Sequence, residues 1–346
     1  MIYIHQTSCI SPQTSLPQDD ETRLAGPVEG VYKVIEPAYA GIPANVLRRM
    51  SKAVRMGVGA ALPLLAQTGV PDGILIGTGN GGMEESVKFL RQIIDYSEGL
   101  LAPGNFVQSI PNAIASQIGL SNHNRGYNTT FVHRGFSFEN ALIDAAMLAR
   151  ENSGGRYLVG GVDELSGYHY RIEQADGWYR GTLAPGLRLY DYDSPGTIAG
   201  EGAALFQVSD EATQAQAAIR GIATLHSRDG LAVAARLRSF LEQYLPPGRS
   251  IDLFLSGENG DSRLLPIIAG CEAALDPAVP IARFKHLCGE YPTASAFAVW
   301  LSLQLGSSLP QHMVKRPGAI TGLRYILLYN NHKLVQHSFM LIERFR

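Results

Sequence analysis

The stretch Asn128 to Arg150, NTTFVHRGFSFENALIDAAMLAR, is where residue types and spacing best suit a chemical site. Its β-branched and aromatic opening reads as a strand. Phe138, Ala141, Leu142, Ala145, Ala146 and Ala149 then recur at helical spacing, so Arg134-Gly135 is expected to be a tight turn between the two. Such a turn aims one side chain at the mouth of a helix, where unpaired N–H groups and the positive end of the dipole favour an anion or a thiolate. A nucleophile would fit there, yet the turn carries glycine.

Two glycine turns invite a phosphate-binding reading. Gly73 to Ile76 is a short apolar strand, GTGNGG (77–82) a turn, and Met83 to Tyr96 an amphipathic helix; Asp252 to Leu255, Ser256 to Gly260 and Asp261 to Ala274 repeat the order half a chain later. GTGNGG lacks the dinucleotide-binding spacing and no G-x-x-x-x-G-K-[ST] loop occurs, so close backbone packing is the expected use of these glycines. The two strand-turn-helix units predict two related α/β halves.

The remaining elements must hold these units in place. Residues 1–6 read as a strand and 11–30 as an irregular segment. Apolar positions from Pro43 to Gln67 have helical spacing, with Asn45 or Ser51 as a start and Pro63 expected to kink or end the helix. Asn112 is placed to cap a small-residue helix from Ala113, and Arg156 to Glu164 is a buried strand ending in two acids. Residues 165–196, with Tyr168, His169, Tyr170, Trp178 and Tyr179, read as a loop insertion, a lid or packed segment. Strands at 196–209 and 217–225, helices at 231–245 and 293–305, and a hairpin around Asn330-Asn331 complete the pattern.

Composition narrows the class. The 346 residues are 45% hydrophobic and 17% charged, with 29 Lys and Arg against 31 Asp and Glu, so nothing calls for a nucleic acid or an anionic membrane as partner; Arg48-Arg49 is a local basic cluster. Cys9, Cys271 and Cys288 are odd in number and far apart, which indicates neither disulfides nor zinc. No apolar run reaches the roughly 20 residues a membrane span needs. The expectation is a cytoplasmic protein without a cofactor.

The order of RRMSKAVRMGVGAAL, GILIGTGNGG, PGNFVQSIPNAIASQIGL, the strand-turn-helix above, YLVGGVDE, GTIAGEGAALFQVS and FKHLCGEYPTASAFAVWL resembles the β-ketoacyl synthase family. The resemblance implies the thiolase-like fold: two similar α/β halves stacked in five layers, here 1–210 and a shortened 211–346. It also implies acyl carrier protein as partner and dimerisation through the strand Thr129 to Val132, antiparallel to its counterpart. Family members condense acyl thioesters with a Cys-His-His set and a lysine. The matching positions here are Gly135 for the nucleophile, Ser256 and Glu290 for the histidines, and Lys285, which is retained. The family's glycine-rich C-terminal loop is replaced by Asn330-Asn331-His332-Lys333-Leu334.

Glycine supplies no nucleophile, and neither serine nor carboxylate supports an oxyanion as imidazole does. The chain therefore resembles the cysteine-less chain-length factors that pair with an active synthase, and YNTTFVH and GEYPTASAF resemble those of aryl polyene and flexirubin-type pathways. It is expected as a heterodimer with a cysteine-containing synthase, or a homodimer. The alternative is an acyltransferase or decarboxylase with relocated groups: Cys288 beside Gly289 and Glu290, with His133 and Arg134 flanking a vacant nucleophile position. Against it, a buried cysteine is ordinarily a small hydrophobe, and Lys285 with Glu290 equally suits a structural ion pair.

Overall fold

The computed structural model describes residues 1–13, 24–99, 101–181, 188–306, 308–320 and 322–345. Parts of the segments expected at 11–30 and 165–196 lie outside the described residues. The first half runs β1 (Ile2–Ile10), β2 (Val31–Tyr32), α1 (Ala44–Leu47), α2 (Lys52–Thr68), β3 (Gly73–Gly77), α3 (Met83–Asp95), α4 (Pro103–Gln108), α5 (Ala113–Ser121), β4 (Tyr127–Phe131), α6 (Ser137–Glu151), β5 (Tyr157–Asp163), α7 (Gly167–Ala175), β6 (Ala199–Gly200) and β7 (Gly202–Ser209). The second runs β8 (Ala217–His226), α8 (Gly230–Tyr244), β9 (Leu253–Ser256), α9 (Leu265–Ala273), β10 (Ile281–Arg283), α10 (Lys285–Cys288), α11 (Ala294–Gln304), β11 (Val314–Arg316), β12 (Tyr325–His332) and β13 (Gln336–Arg344).

The internal repeat is explicit in the strand pairing. In the first half β4, β3 and β5 are parallel neighbours, β5 pairs antiparallel with β7, and β7 with β1. In the second half β10, β9 and β12 are parallel, β12 pairs antiparallel with β13, and β13 with β8. The order parallel, parallel, antiparallel, antiparallel is the same, so β3 and β9, each ending in a glycine turn, hold equivalent places. β11 adds an edge beside β10, and a short β1–β8 pairing joins the two sheets.

Side-chain alternation builds the layers. Ile74 and Ile76 on β3 pack with α2 and α5 in one core, while Leu75 faces the opposite way with Phe138, Ala141 and Ala145 of α6. On β9, Leu253 and Leu255 join that same central core with Phe297 and Leu301 of α11, and Phe254 faces α8 and α9 in a third. Alternate residues of each strand serve opposite faces. Three cores therefore separate five layers, with α6 and α11 in the middle, which is the thiolase-like arrangement.

Four local expectations are corrected. Pro63 neither ends nor breaks α2, which runs on to Thr68. The ring is exposed, the residue four back is Gly59, and Ala60, Ala61 and Leu64 bury the opposite face, so packing outweighs the roughly 3 kcal/mol penalty of an internal proline. Within 165–196 the chain forms α7, capped by the Ser166 hydroxyl accepting from His169 N–H; its one buried residue is Glu173, so no apolar stripe announces it. The hairpin turns at Lys333-Leu334, both left-handed at φ 53° and 61°. Asn330 and Asn331 instead pair with Ser338 and His337 inside the sheet, and Asn331 Oδ1 accepts from Leu334 N–H. Asn112 makes no side-chain cap; its amide reaches Thr130 Oγ1 and Asn128 Oδ1.

Candidate functional site

The turn between β4 and α6 is held by side chains rather than by its own glycine. His133 N–H donates to Ser137 Oγ at 2.8 Å, the Ser137 hydroxyl donates to the Arg134 carbonyl at 2.8 Å, and Arg134 takes a left-handed φ of 52°. Gly135 is buried at the helix mouth, but the place is not vacant. A Cβ there would lie 2.3 Å from His332 Cβ, well inside contact distance, and its N–H already donates to Gln336 Oε1 at 2.9 Å. The hairpin β12–β13 thus fills the space of a nucleophile and occupies an N–H that could otherwise support an oxyanion. Burial pushes the His332 imidazole down to about 3, so it is neutral at physiological pH.

Of the other matching positions, Glu290 lines a cavity of only about 20 Å³, together with Tyr179, Thr197, Asn259 and His332 among others. That is room for about one water and for no acyl chain. Fully buried Lys285 donates to Glu290 Oε1 at 2.8 Å, and Asn259 Nδ2 donates to Glu290 Oε2 at 2.8 Å. Ser256, at the end of β9 opposite Tyr329, is buried and accepts from Glu258 N–H at 3.2 Å. Each polar group matching the family's catalytic set has a structural partner.

Sequence reasoning missed Glu139 on α6, which is fully buried. Its Oε1 accepts from the Ser338 hydroxyl at 2.7 Å, while Oε2 has no partner among the described residues. Burial raises its carboxyl from 4.5 to about 7. Between those values the folded chain holds a proton that the unfolded chain has released, so stability falls as pH rises from about 4.5 to 7. Glu139→Gln is expected to flatten that fall and to leave the variant more stable above pH 7 by on the order of 2–3 kcal/mol; urea unfolding at pH 5 and pH 8 measures both.

The relocated groups do not assemble. His133 is exposed, with Nδ1 against Asn140 Nδ2 at 3.0 Å and its ring edge-on to Phe136. Cys288 is fully buried in the central core, its thiol donates to the Gly289 carbonyl, and burial pushes the thiol far above its ordinary range. The first glycine turn holds a carboxylate of this chain: Gly79 and Asn80 N–H both donate to Asp163 Oδ1 at 2.9 Å. Trp178 and Tyr179 pack over the small cavity, and Lys333 at the hairpin tip ion-pairs with Glu173 of α7. Burial alone would raise the Glu173 carboxyl, but hydrogen bonds from His169 and Lys333 outweigh it and hold it at about 2. Among the described residues no cluster of His, Cys, Asp and Glu could hold a metal ion, and no helix is long and apolar enough to cross a membrane.

Comparison with known proteins supplies the wider setting. The family described as beta-ketoacyl synthase, N-terminal domain, matches residues 26–234. No curated protein matches the sequence. Among solved structures, a β-ketoacyl synthase from Burkholderia phymatum STM815 superposes with a TM-score of 0.79 at 16% identity, covering 100% of this chain and 99% of that one. The ishigamide ketosynthase/chain length factor gives 0.76 at 19%, covering 99% of each. The ketosynthase ApeO in complex with its chain length factor ApeC, from Xenorhabdus doucetiae, gives 0.75 at 15%, covering 99% and 98%.

Proposed function

This chain belongs to the β-ketoacyl synthase family, and on that premise we propose that it is a non-condensing, chain-length-factor type subunit. In this reading it pairs with a cysteine-bearing synthase and shapes that subunit's acyl pocket during synthesis on acyl carrier protein, in an aryl polyene or flexirubin-type pathway. The observation that carries the reading is the filled nucleophile site, with His332 against Gly135 and Gln336 on its N–H. Two structural relatives are described as a ketosynthase with a chain length factor, which supports the pairing.

The surface supports it as well. β4 is the last strand of its sheet. Tyr127 N–H donates to Asp72 and the Phe131 carbonyl accepts from Thr78, so the backbones of Tyr127, Thr129 and Phe131 face β3 and those of Asn128, Thr130 and Val132 face outward. On the segment leading to Asn112, whose amide reaches Thr130 of β4, Phe106, Val107 and Ile110 are 59%, 58% and 51% exposed, suiting a subunit contact.

Co-expression with a cysteine-bearing synthase should give a stable 1:1 complex, and the chain alone should neither become acylated nor decarboxylate malonyl carrier protein. Persistent separation of the two proteins, or turnover by the chain alone that Cys288→Ala abolishes, overturns the reading. Gly135→Cys should not restore condensation in a carrier-protein assay. It should also lower stability by about 1–3 kcal/mol through overpacking against His332, a loss that adding His332→Gly relieves without activity appearing.

A further inference from the structure

Arg134 is placed where an isolated chain gains nothing from it. Its backbone is left-handed at φ 52°, a conformation disfavoured for a residue with a Cβ. It stands one turn before α6, at the end of the dipole that repels a cation. Its side chain is exposed and makes no ion pair among the described residues. Yet the conformation is clamped twice over: Ser137 bonds both His133 N–H and the Arg134 carbonyl, and Gln336 accepts from Gly135 N–H while donating to the His133 carbonyl at 3.3 Å. Backbone strain persists where the surroundings over-determine it, and it concentrates at ligand clamps and contact sites.

The position of Arg134 says what it meets. It lies just past the outward end of β4, the open edge of the sheet. Two subunits of like fold that join the same edge about a two-fold axis must pair it antiparallel, so the Arg134 end of one faces the start of the edge strand of the other. In this chain that start holds a carboxylate, Asp144 of α6, which accepts from the Tyr127 hydroxyl at 2.9 Å. Cation at one end and anion at the other form a complementary pattern for a subunit of the same fold.

We propose that Arg134 is an interface anchor that reads a carboxylate of the cysteine-bearing synthase, presented at the start of that subunit's own edge strand. This rests on the subunit pairing proposed above. The guanidinium would supply a paired, geometrically fixed donor fork, which lysine cannot reproduce. The strained turn pre-sets its direction, so little side-chain freedom remains to be lost on docking.

The test uses the full chain and a co-expressed cysteine-bearing β-ketoacyl synthase from the same genome, with the dissociation constant read by sedimentation at low and high salt. Arg134→Ala and Arg134→Glu should weaken the complex at least tenfold and flatten its salt dependence, with Arg134→Lys in between. Arg134→Gly, which suits a left-handed backbone, should weaken the complex while leaving the melting temperature of the isolated chain unchanged or higher. A purely structural role predicts the reverse, a lower melting temperature and unaltered binding. Thr130→Pro, which removes an outward N–H and leaves the β3 ladder intact, separates the two levels. If it abolishes assembly while the Arg134 variants bind within twofold of wild type, the anchor is wrong and the pairing stands. If it binds normally, or no complex forms with the unaltered chain, pairing through β4 is wrong and the anchor falls with it.

Discussion

Lys285→Met is expected to lower the unfolding free energy by about 3–5 kcal/mol, the range for removing one partner of a buried ion pair. The lysine is fully buried and its ammonium lies 2.8 Å from Glu290 Oε1, while the other carboxylate oxygen is taken by Asn259. Without the cation, a carboxylate 5% exposed is left with one amide donor. Lys285→Met with Glu290→Gln should recover most of the loss, because the neutral amide still offers Asn259 an acceptor and no charge remains uncompensated. Chemical denaturation of the single and double variants measures the coupling between the two positions. A single-variant loss below about 1 kcal/mol would show that the pair does not hold this region together. Because Lys285 is fully buried and Glu290 lines a cavity too small for substrate, the double variant should still support a partner synthase at the wild-type rate; a large drop in that rate would give the pair a role in chemistry.

The architecture was readable in the chain because each half repeats a buried strand that ends in glycine. The strands around β3 and β9 are apolar on both faces, since helices cover both sides, and only glycine lets the following turn pack as closely as Gly77 does against Ser137 and Phe138. The matching positions Gly135, Ser256, Lys285 and Glu290 rest on the resemblance to the family rather than on any local pattern. What packs against them was not readable. His332 and Gln336 reach Gly135 from about two hundred residues away, and no local pattern encodes a contact of that range; the one signal was the replacement of a glycine-rich loop by Asn330 to Leu334. The same hairpin misled the turn assignment, because Asn330-Asn331 has the composition of a turn while both residues are buried in the sheet and the Asn331 amide joins a network with His337 and Tyr329. α7 stayed hidden for the opposite reason: Glu173, its buried residue, is held by ion pairs rather than by apolar contact. Polar burial leaves no periodicity to read.

Asp163→Ala should be the most damaging single substitution in the first half, with a loss of about 4 kcal/mol or more when each orphaned buried donor is counted at roughly 1–3 kcal/mol. The carboxylate is 1% exposed and accepts five hydrogen bonds. Oδ1 takes the Thr78 hydroxyl at 3.1 Å and the N–H groups of Gly79 and Asn80 at 2.9 Å. Oδ2 takes the Thr293 N–H at 3.0 Å and its hydroxyl at 2.8 Å. One side chain thus ties the glycine turn after β3 to the start of α11 in the central layer. Asp163→Asn keeps one oxygen acceptor but turns two N–H donors toward N–H or hydroxyl donors, so its loss should fall between wild type and alanine. The consequence should reach the proposed subunit edge. Gly79 packs beside Arg134, with a Cβ built on it 3.5 Å from the arginine Cα, and β3 carries β4. Loosening this turn should free both Arg134 and the open strand, so Asp163→Asn should weaken assembly with a partner synthase even where the isolated chain remains folded. Amide hydrogen exchange of residues 127–136 in that variant measures the link: faster exchange than wild type is the expected result, and unchanged protection there would confine the role of Asp163 to the core.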